Sequence, residues 1–300
     1  MLSVEPSGVI LGATICGLDL SKRLDDGDLG RIFLNLGRYG VLCFPGQSLD
    51  PIRQKAFCER LGPLHQNERH RVPGVPEVSI LSNIVENGRN IGYVDAGMIW
   101  HRDVTNRKIP AFATVLHALK VPRRNGKALG NTQFINTQAA YDDLAEDIKR
   151  RLTGRMATHS SEKYNERVRD AGSKRPAFGK LPNRTPPISH PILRAHPLTG
   201  RTTLYCDPGS VVRIEGLPEG ESDDLIRLLN EHQLQPKYRY DHVWTEGDVL
   251  MWDNFSTLHR VSLDYGPDEP RLIQRSQVMA GRVLDPAFVE SMLARAGDTR

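Results

Sequence analysis

What this chain has little of narrows its reading first. Its four cysteines, Cys16, Cys43, Cys58 and Cys206, stand singly in apolar surroundings with no close pairing. That pattern fits reduced core residues of a cytoplasmic protein, not a disulfide-framed secreted scaffold. No apolar run approaches the length a membrane span needs, and Met1-Leu2-Ser3-Val4-Glu5-Pro6 lacks the basic-then-apolar order of a signal peptide. Charge of one sign is scarce too: the formal charge is +4 over 300 residues, with bases interleaved among acids. We therefore expect no nucleic-acid surface and no membrane partner, while local basic pockets for small anions stay possible. Internal repeats, low-complexity blocks and regular strand-helix alternation are also missing. A chain of this length can bury a sizeable core.

What is present is mostly β. Residues 8 to 20 read as two short strands with a turn. Apolar residues at Leu29, Ile32, Phe33 and Leu36 predict an amphipathic helix over 25 to 38. A buried strand follows over 40 to 44, ended by Pro45-Gly46. Asp50 as N-cap and Pro51 at the first position then predict a helix to Leu61, stopped by Gly62-Pro63. Strands are expected over 78 to 84, 111 to 120, 131 to 136, 238 to 244, 248 to 252 and 271 to 279. Helices are expected over 137 to 153 and 222 to 234, and a hairpin should pair 190 to 193 with 202 to 206. Residues 160 to 187, rich in Lys, Arg, Gly and Pro, read as a long surface loop or lid. Many short strands with few helices favour an antiparallel β core of sandwich or barrel type, built as one domain over 1 to 300.

The chemistry-bearing stretch is Trp100-His101-Arg102-Asp103-Val104. If it is extended, His101 and Asp103 share one face and Arg102 takes the other. An imidazole beside a carboxylate supplies two of the three ligands of the 2-His-1-carboxylate triad that holds non-haem Fe(II) in oxygenases. His259 is the best candidate for the third, because it follows the apolar segment Val249-Leu250-Met251-Trp252, a rigid support for a ligand. Arg271 and Arg275 would face one way on a strand, with backbones roughly 13 Å apart. Guanidiniums directed into a barrel need anions, and carboxylates suit them best; an edge strand with arginines facing water is the competing reading.

These segments together, with Gly130-Asn131-Thr132, Trp252-Asp253-Asn254 and the turn His196-Pro197-Leu198-Thr199-Gly200, resemble the taurine dioxygenase (TauD/TfdA) family of Fe(II)- and 2-oxoglutarate-dependent oxygenases. The likeness spans nearly the whole chain. It implies a double-stranded β-helix, a jelly roll with flanking helices. It also implies His101, Asp103 and His259 as iron ligands, Thr132 and Arg271 on the distal carboxylate of 2-oxoglutarate, and Arg275 on an anionic substrate group. Trp252 and Asn254 would support the distal histidine. O2 would be the co-oxidant, succinate and CO2 the co-products, and a homo-oligomer, dimer or tetramer, the assembly.

Departures fall on the substrate side. Arg102 replaces a small residue, the stretch Val94 to Met98 lacks an asparagine, and Asn67, with His65 nearby, stands where the family carries a sulfonate-contacting histidine. They point away from taurine and toward another small anionic substrate, held by Arg275, His65, Asn67 and Val104. Asp103 speaks against halogenation, so hydroxylation is the default outcome. A metal-free jelly-roll binding protein would need a broken triad, and a Zn(II) hydrolase on the same ligands would leave Thr132 and Arg271 unexplained.

Overall fold

A computed structural model describes residues 2–173 and 185–297. Its largest sheet has eight strands, in the order Ser3–Pro6, Ala13–Cys16, Val41–Phe44, Val249–Asp253, Ala111–Lys120, Leu272–Met279, Val75–Ser82, Arg71–Val72. Facing it is a three-stranded sheet with Thr132–Asn136 between Arg239–His242 and Thr257–Val261. The pairings within both sheets are antiparallel, apart from Ala13–Cys16 beside Val41–Phe44. This is the jelly-roll architecture expected from the sequence.

Side-chain alternation sorts the core into two layers. On the strand Val249–Asp253, Val249 and Met251 pack outward against the helices with Phe33, Phe57 and Leu61. Leu250 and Trp252 point inward with Leu116, Phe134 and Ile273. A strand covered on both faces shows no polar alternation, which is why Ala111–Lys120 is buried along all but its last two residues.

The helices covering the large sheet follow their local signals. In Asp26–Tyr39 the N-cap Asp25 accepts from the Asp28 N–H at 2.7 Å, and Gly40 closes the end with a left-handed φ of 69°. Asp50 and Pro51 start Pro51–Leu61 as read. A C-terminal helix, Pro286–Ala296, packs across the first. The sequence reading omitted it, although Asp285-Pro286 and apolar residues at Phe288, Val289, Met292 and Leu293 carry its signal. Gly30 permits the crossing, since a Cβ there would lie 2.5 Å from the Met292 carbonyl oxygen.

Several expectations need correction. The segment around His101 is no strand: it makes one antiparallel bridge, His101 to His259, and then turns. His259 does not trail the Val249 strand but lies inside its own, Thr257–Val261, after the turn at Asn254 to Ser256. The helix expected over 137 to 153 is two, Thr137–Asp142 and Glu146–Leu152. Two acids, Asp142 and Asp143, oppose the dipole where the first one ends, and Asp143 instead accepts from Lys237 Nζ at 2.6 Å and Tyr238 OH at 2.8 Å. The expected hairpin splits, with Leu193–Ala195 pairing Thr202–Leu204 while Ile188–Pro191 joins Met156–His159. Of the two strands expected over 8 to 20 only Ala13–Cys16 falls there; its partner is Ser3–Pro6. In the expected loop over 160 to 187, Ser161–Asp170 is a helix, tied down by buried Val168 and by Arg167 Nη1 donating to the carbonyls of Pro208, Gly209 and Val211. Residues 174 to 184 of that stretch lie outside the described residues.

Candidate active site

At the mouth of the barrel the bridge fixes two imidazoles side by side. The His101 N–H donates to the His259 carbonyl at 3.1 Å, and the His259 N–H returns a bond at 2.9 Å. The ring centroids are 4.2 Å apart. Asp103 reaches the same point because the backbone turns after His101, with Val104 at φ 54°, a region a β-branched residue seldom occupies. His101 Nε2 lies 3.9 Å from Asp103 Oδ1 and His259 Nε2 lies 3.8 Å from Asp103 Oδ2. All three residues are 6 % exposed.

The donor set suits a divalent cation. Ligands each about 2.1 Å from one ion stand about 3.0 Å apart at right angles and at most about 4.2 Å apart, and both separations fall in that range. His101 Nδ1 is engaged by the Ile99 carbonyl at 2.9 Å, which leaves Nε2 with its lone pair toward the carboxylate. Burial, then the neighbouring His101, push the His259 imidazole well below its ordinary range, so it is neutral. Burial alone would raise the Asp103 carboxyl, but the Arg275 guanidinium and the hydrogen bond from Thr114 pull it the other way and hold the group ionised. Two imidazoles and a carboxylate are the 2-His-1-carboxylate set.

A second layer aims the carboxylate. Thr114 Oγ1 donates to Asp103 Oδ2 at 2.6 Å, Asn254 Nδ2 donates to Thr114 Oγ1 at 3.0 Å, and Trp252 Nε1 donates to Asn254 Oδ1 at 3.1 Å. The Trp252 ring packs 4.6 Å from His259. Trp252 thus packs on the distal histidine as expected, whereas Asn254 acts on the Asp103 side instead, through Thr114 of the Ala111–Lys120 strand. Arg102 points away, buried at 3 % exposure, its Nη2 donating to Thr137 Oγ1 and the Leu204 carbonyl, both at 2.8 Å.

Arg271 and Thr132 are both buried, each 3 % exposed. The Arg271 guanidinium has no carboxylate within ion-pair distance among the described residues; its neighbour is the Tyr265 ring, centred 5.9 Å away. Gly130 makes room for it: a Cβ there would lie 3.4 Å from Arg271 Nε. Thr132 stands two residues along from that glycine, its Oγ1 accepting from Trp244 Nε1 at 3.0 Å. Burial pushes the Arg271 pKa down, as expected of a desolvated cation lacking an anion.

Arg275 lies two residues along the strand from Ile273, whose side chain is in the inner layer. Its Nε donates to Ser79 Oγ at 3.2 Å and its Nη2 to Asn67 Oδ1 at 3.4 Å. His65 is anchored by its backbone N–H on the Gln277 carbonyl at 2.9 Å. Burial, then Arg275 and Arg107, depress its pKa, while Asp103 pulls the other way. Asn67, His65 and Arg275 therefore meet beside the ligand cluster. Sequence reading missed Tyr164, whose ring centroid is 5.3 Å from that of His101. It comes from the helix Ser161–Asp170, in the stretch read as a loop. Gly209 lets the backbone close in behind, since a Cβ there would meet Tyr164 at 2.9 Å and His101 at 3.1 Å.

A jelly roll carrying two imidazoles and a carboxylate at one site, with a desolvated arginine inside the fold, defines the class of Fe(II)- and 2-oxoglutarate-dependent oxygenases. The sequence model of the taurine catabolism dioxygenase TauD, TfdA family matches residues 3–277, and the chain belongs to that family. It is 31 % identical over 265 residues to the alpha-ketoglutarate-dependent 2,4-dichlorophenoxyacetate dioxygenase of Burkholderia sp. (strain RASC), covering 81 % of this chain and 83 % of the relative. It is also 31 % identical over 309 residues to the alpha-ketoglutarate-dependent sulfate ester dioxygenase of Pseudomonas putida, covering 98 % and 94 %. The crystal structure of a taurine dioxygenase from Burkholderia xenovorans superimposes with a TM-score of 0.75 at 28 % identity, over 93 % of this chain and 90 % of that one. The protein is a non-haem iron dioxygenase that depends on 2-oxoglutarate.

Proposed function

We propose that His101, Asp103 and His259 bind the Fe(II), that Thr132 and Arg271 hold the distal carboxylate of 2-oxoglutarate, and that Arg275, Asn67, His65 and Val104 bind a small anionic substrate. The observation that carries the reading is the separation of 3.8 and 3.9 Å between the Asp103 oxygens and the two imidazole Nε2 atoms. Bound iron, with 2-oxoglutarate and O2, supplies oxidative decarboxylation to succinate and CO2 coupled to oxidation of a substrate C–H bond.

The chain's own part is aim and charge. Neutral His259 keeps a lone pair ready, and Thr114 and Asn254 hold the carboxylate in register. Arg271 gains the anion its burial calls for when the diacid enters, and its planar fork matches a carboxylate. Arg275 fixes one end of the substrate, which orients the C–H bond toward the iron. Tyr164 walls off the His101 side. Hydroxylation is the outcome we propose, because the carboxylate ligand that halide would displace is present.

The relatives named for a phenoxyacetate and a sulfate ester support an anionic substrate, and so does Arg275, whose hydrogen bonds among the described residues go to the neutral Ser79 and Asn67 oxygens. Single unpaired cysteines, and no helix among the described residues long and apolar enough to cross a membrane, support a cytoplasmic setting. A single-domain reading and a dimeric or tetrameric assembly rest on the resemblance; sedimentation reads the assembly. The deciding experiment is anaerobic titration with Fe(II) and 2-oxoglutarate, followed by a screen of small carboxylates, sulfonates, sulfate esters and phosphates for stimulated succinate formation. A weak visible charge-transfer band and a product heavier by one oxygen are expected. A Zn(II)-supported hydrolysis without that band would overturn the reading.

A further inference from the structure

Two groups of metal-capable side chains occur among the described residues: the cluster above, and Cys43 with His242 and Asp248, whose donor atoms all lie within 4.8 Å of one another. From the second group we propose a separate site for a soft divalent cation of the Zn(II) class, tying the small sheet to the large one. It does not depend on the oxygenase reading.

The fold brings these residues together from both sheets. Cys43 pairs in register with Leu250, and Asp248 precedes Leu250 by two residues, so thiol and carboxylate sit on the same face of the large sheet. His242 ends the edge strand Arg239–His242 of the small sheet, opposite Thr132. The three residues are 9 %, 5 % and 6 % exposed, for Cys43, Asp248 and His242 respectively.

His242 Nε2 points at this group and forms no hydrogen bond among the described residues. It is buried, and it lies only 3.4 Å from Asp248 Oδ2. The ring cannot easily turn away, because Trp244 stands edge-on to it, perpendicular and 4.8 Å between centroids. Asp248 Oδ2 accepts one bond, from the Thr245 N–H at 2.8 Å. A buried polar atom left without a partner is costly, and a cation would supply one.

The donor chemistry selects the metal. Zn–S, Zn–N and Zn–O bonds of about 2.3, 2.0 and 2.1 Å in a tetrahedron put donors about 3.3–3.6 Å apart. The His242–Asp248 separation already meets that, and Cys43, within 4.8 Å of both, need close by no more than about 1.3 Å. A thiolate with imidazole and carboxylate favours Zn(II) over the hard ions, and water completes the four. Without metal, burial and then Asp248 raise the Cys43 thiol, so it is protonated; binding forms a metal–sulfur bond and releases that proton to solvent.

Co(II) titration of the full-length protein tests this, because a sulfur-to-Co(II) charge-transfer band in the near ultraviolet can arise only from a cysteine ligand and the other cluster contains none. Two equivalents, enough for both clusters, should give the band in the wild type and in Cys16→Ser, and Zn(II) should bleach it. Cys43→Ser and His242→Gln should lose it, and Zn(II) should raise the melting temperature of the wild type but not of either variant. Asp248→Asn, with circular dichroism to show it folded, stands in if Cys43→Ser does not fold, and should also lose the band. No sulfur-to-metal band in the wild type at about tenfold excess Co(II), or a band that survives Cys43→Ser, overturns the proposal.

Discussion

Thr114 Oγ1 donates a 2.6 Å hydrogen bond to Asp103 Oδ2, so the carboxylate that its own turn brings to the ligand cluster is aimed by a strand of the large sheet. Outer partners of this kind typically change metal affinity by about 10–100-fold when removed. Thr114→Val keeps the shape and deletes the donor. Its Fe(II) dissociation constant should rise by about tenfold or more in anaerobic titration, with the fold intact by circular dichroism. Unchanged affinity would show that the turn alone positions Asp103.

Arg271 is buried with no carboxylate within ion-pair distance among the described residues. Truncating one member of a desolvated charge pair costs about 2–5 kcal/mol, so Arg271→Met should raise the KM for 2-oxoglutarate by about 30-fold or more while Fe(II) binding stays within about twofold of wild type. An isolated buried cation is itself a burden on the fold. The same variant should therefore melt no lower than wild type in cosubstrate-free buffer. A fall in melting temperature would mean that Arg271 is satisfied by the protein itself.

Arg275 contacts Ser79 and Asn67 rather than an acid. Arg275→Ala should raise the KM for an anionic substrate at least tenfold, and leave the slow substrate-free turnover of 2-oxoglutarate nearly unchanged. If KM and turnover with substrate both stay at wild-type values, the anion does not sit there.

Histidine burial sets an acid limit on stability. His159, His190 and His117 are all depressed below the ordinary value of 6.5, chiefly by burial, His159 most of all. The unfolded chain takes up these protons while the folded one does not, so stability rises with pH up to about 6.5 and is lost as pH falls below it. The carboxylates that titrate with folding act lower, below their ordinary 3.8 to 4.5. Denaturant melts between pH 5 and about 7 isolate the histidines. His159→Gln, which can still meet Ser210 Oγ, should flatten the slope there by up to about 1.4 kcal/mol per pH unit.

Gly30 faces the Met292 carbonyl at a separation no side chain could share. Gly30→Ala should cost about 1–3 kcal/mol despite the better helix propensity of alanine. Urea melts of the variant against wild type give the difference directly.

Much of this architecture could be read before any coordinates because its signals are local. Caps and periodicity mark the helices at Asp25 and Asp50, and the segments around His101, His259 and Arg271 resemble one family. What could not be read depends on tertiary contact. Period-two logic placed His101 and Asp103 on one strand face, whereas the chain makes a single bridge and bends at Val104. Tyr164 was hidden because a helix rich in Lys, Glu and Arg looks like solvated loop until Val168 and Arg167 are seen anchored. The break after Asp142 follows from partners about 95 residues away, Lys237 and Tyr238.

The reciprocal pair of backbone bonds between His101 and His259 has a bearing on how such a protein can diversify. Two residues that exchange both N–H···O bonds are held about 5.5 Å apart at Cα by the ladder itself, whatever chain intervenes. Outer segments between them, such as the helix Ser161–Asp170 that carries Tyr164, are thereby released from any duty to preserve the spacing of the two imidazoles. They can lengthen, shorten or change character to admit new molecules while the reacting centre keeps its dimensions.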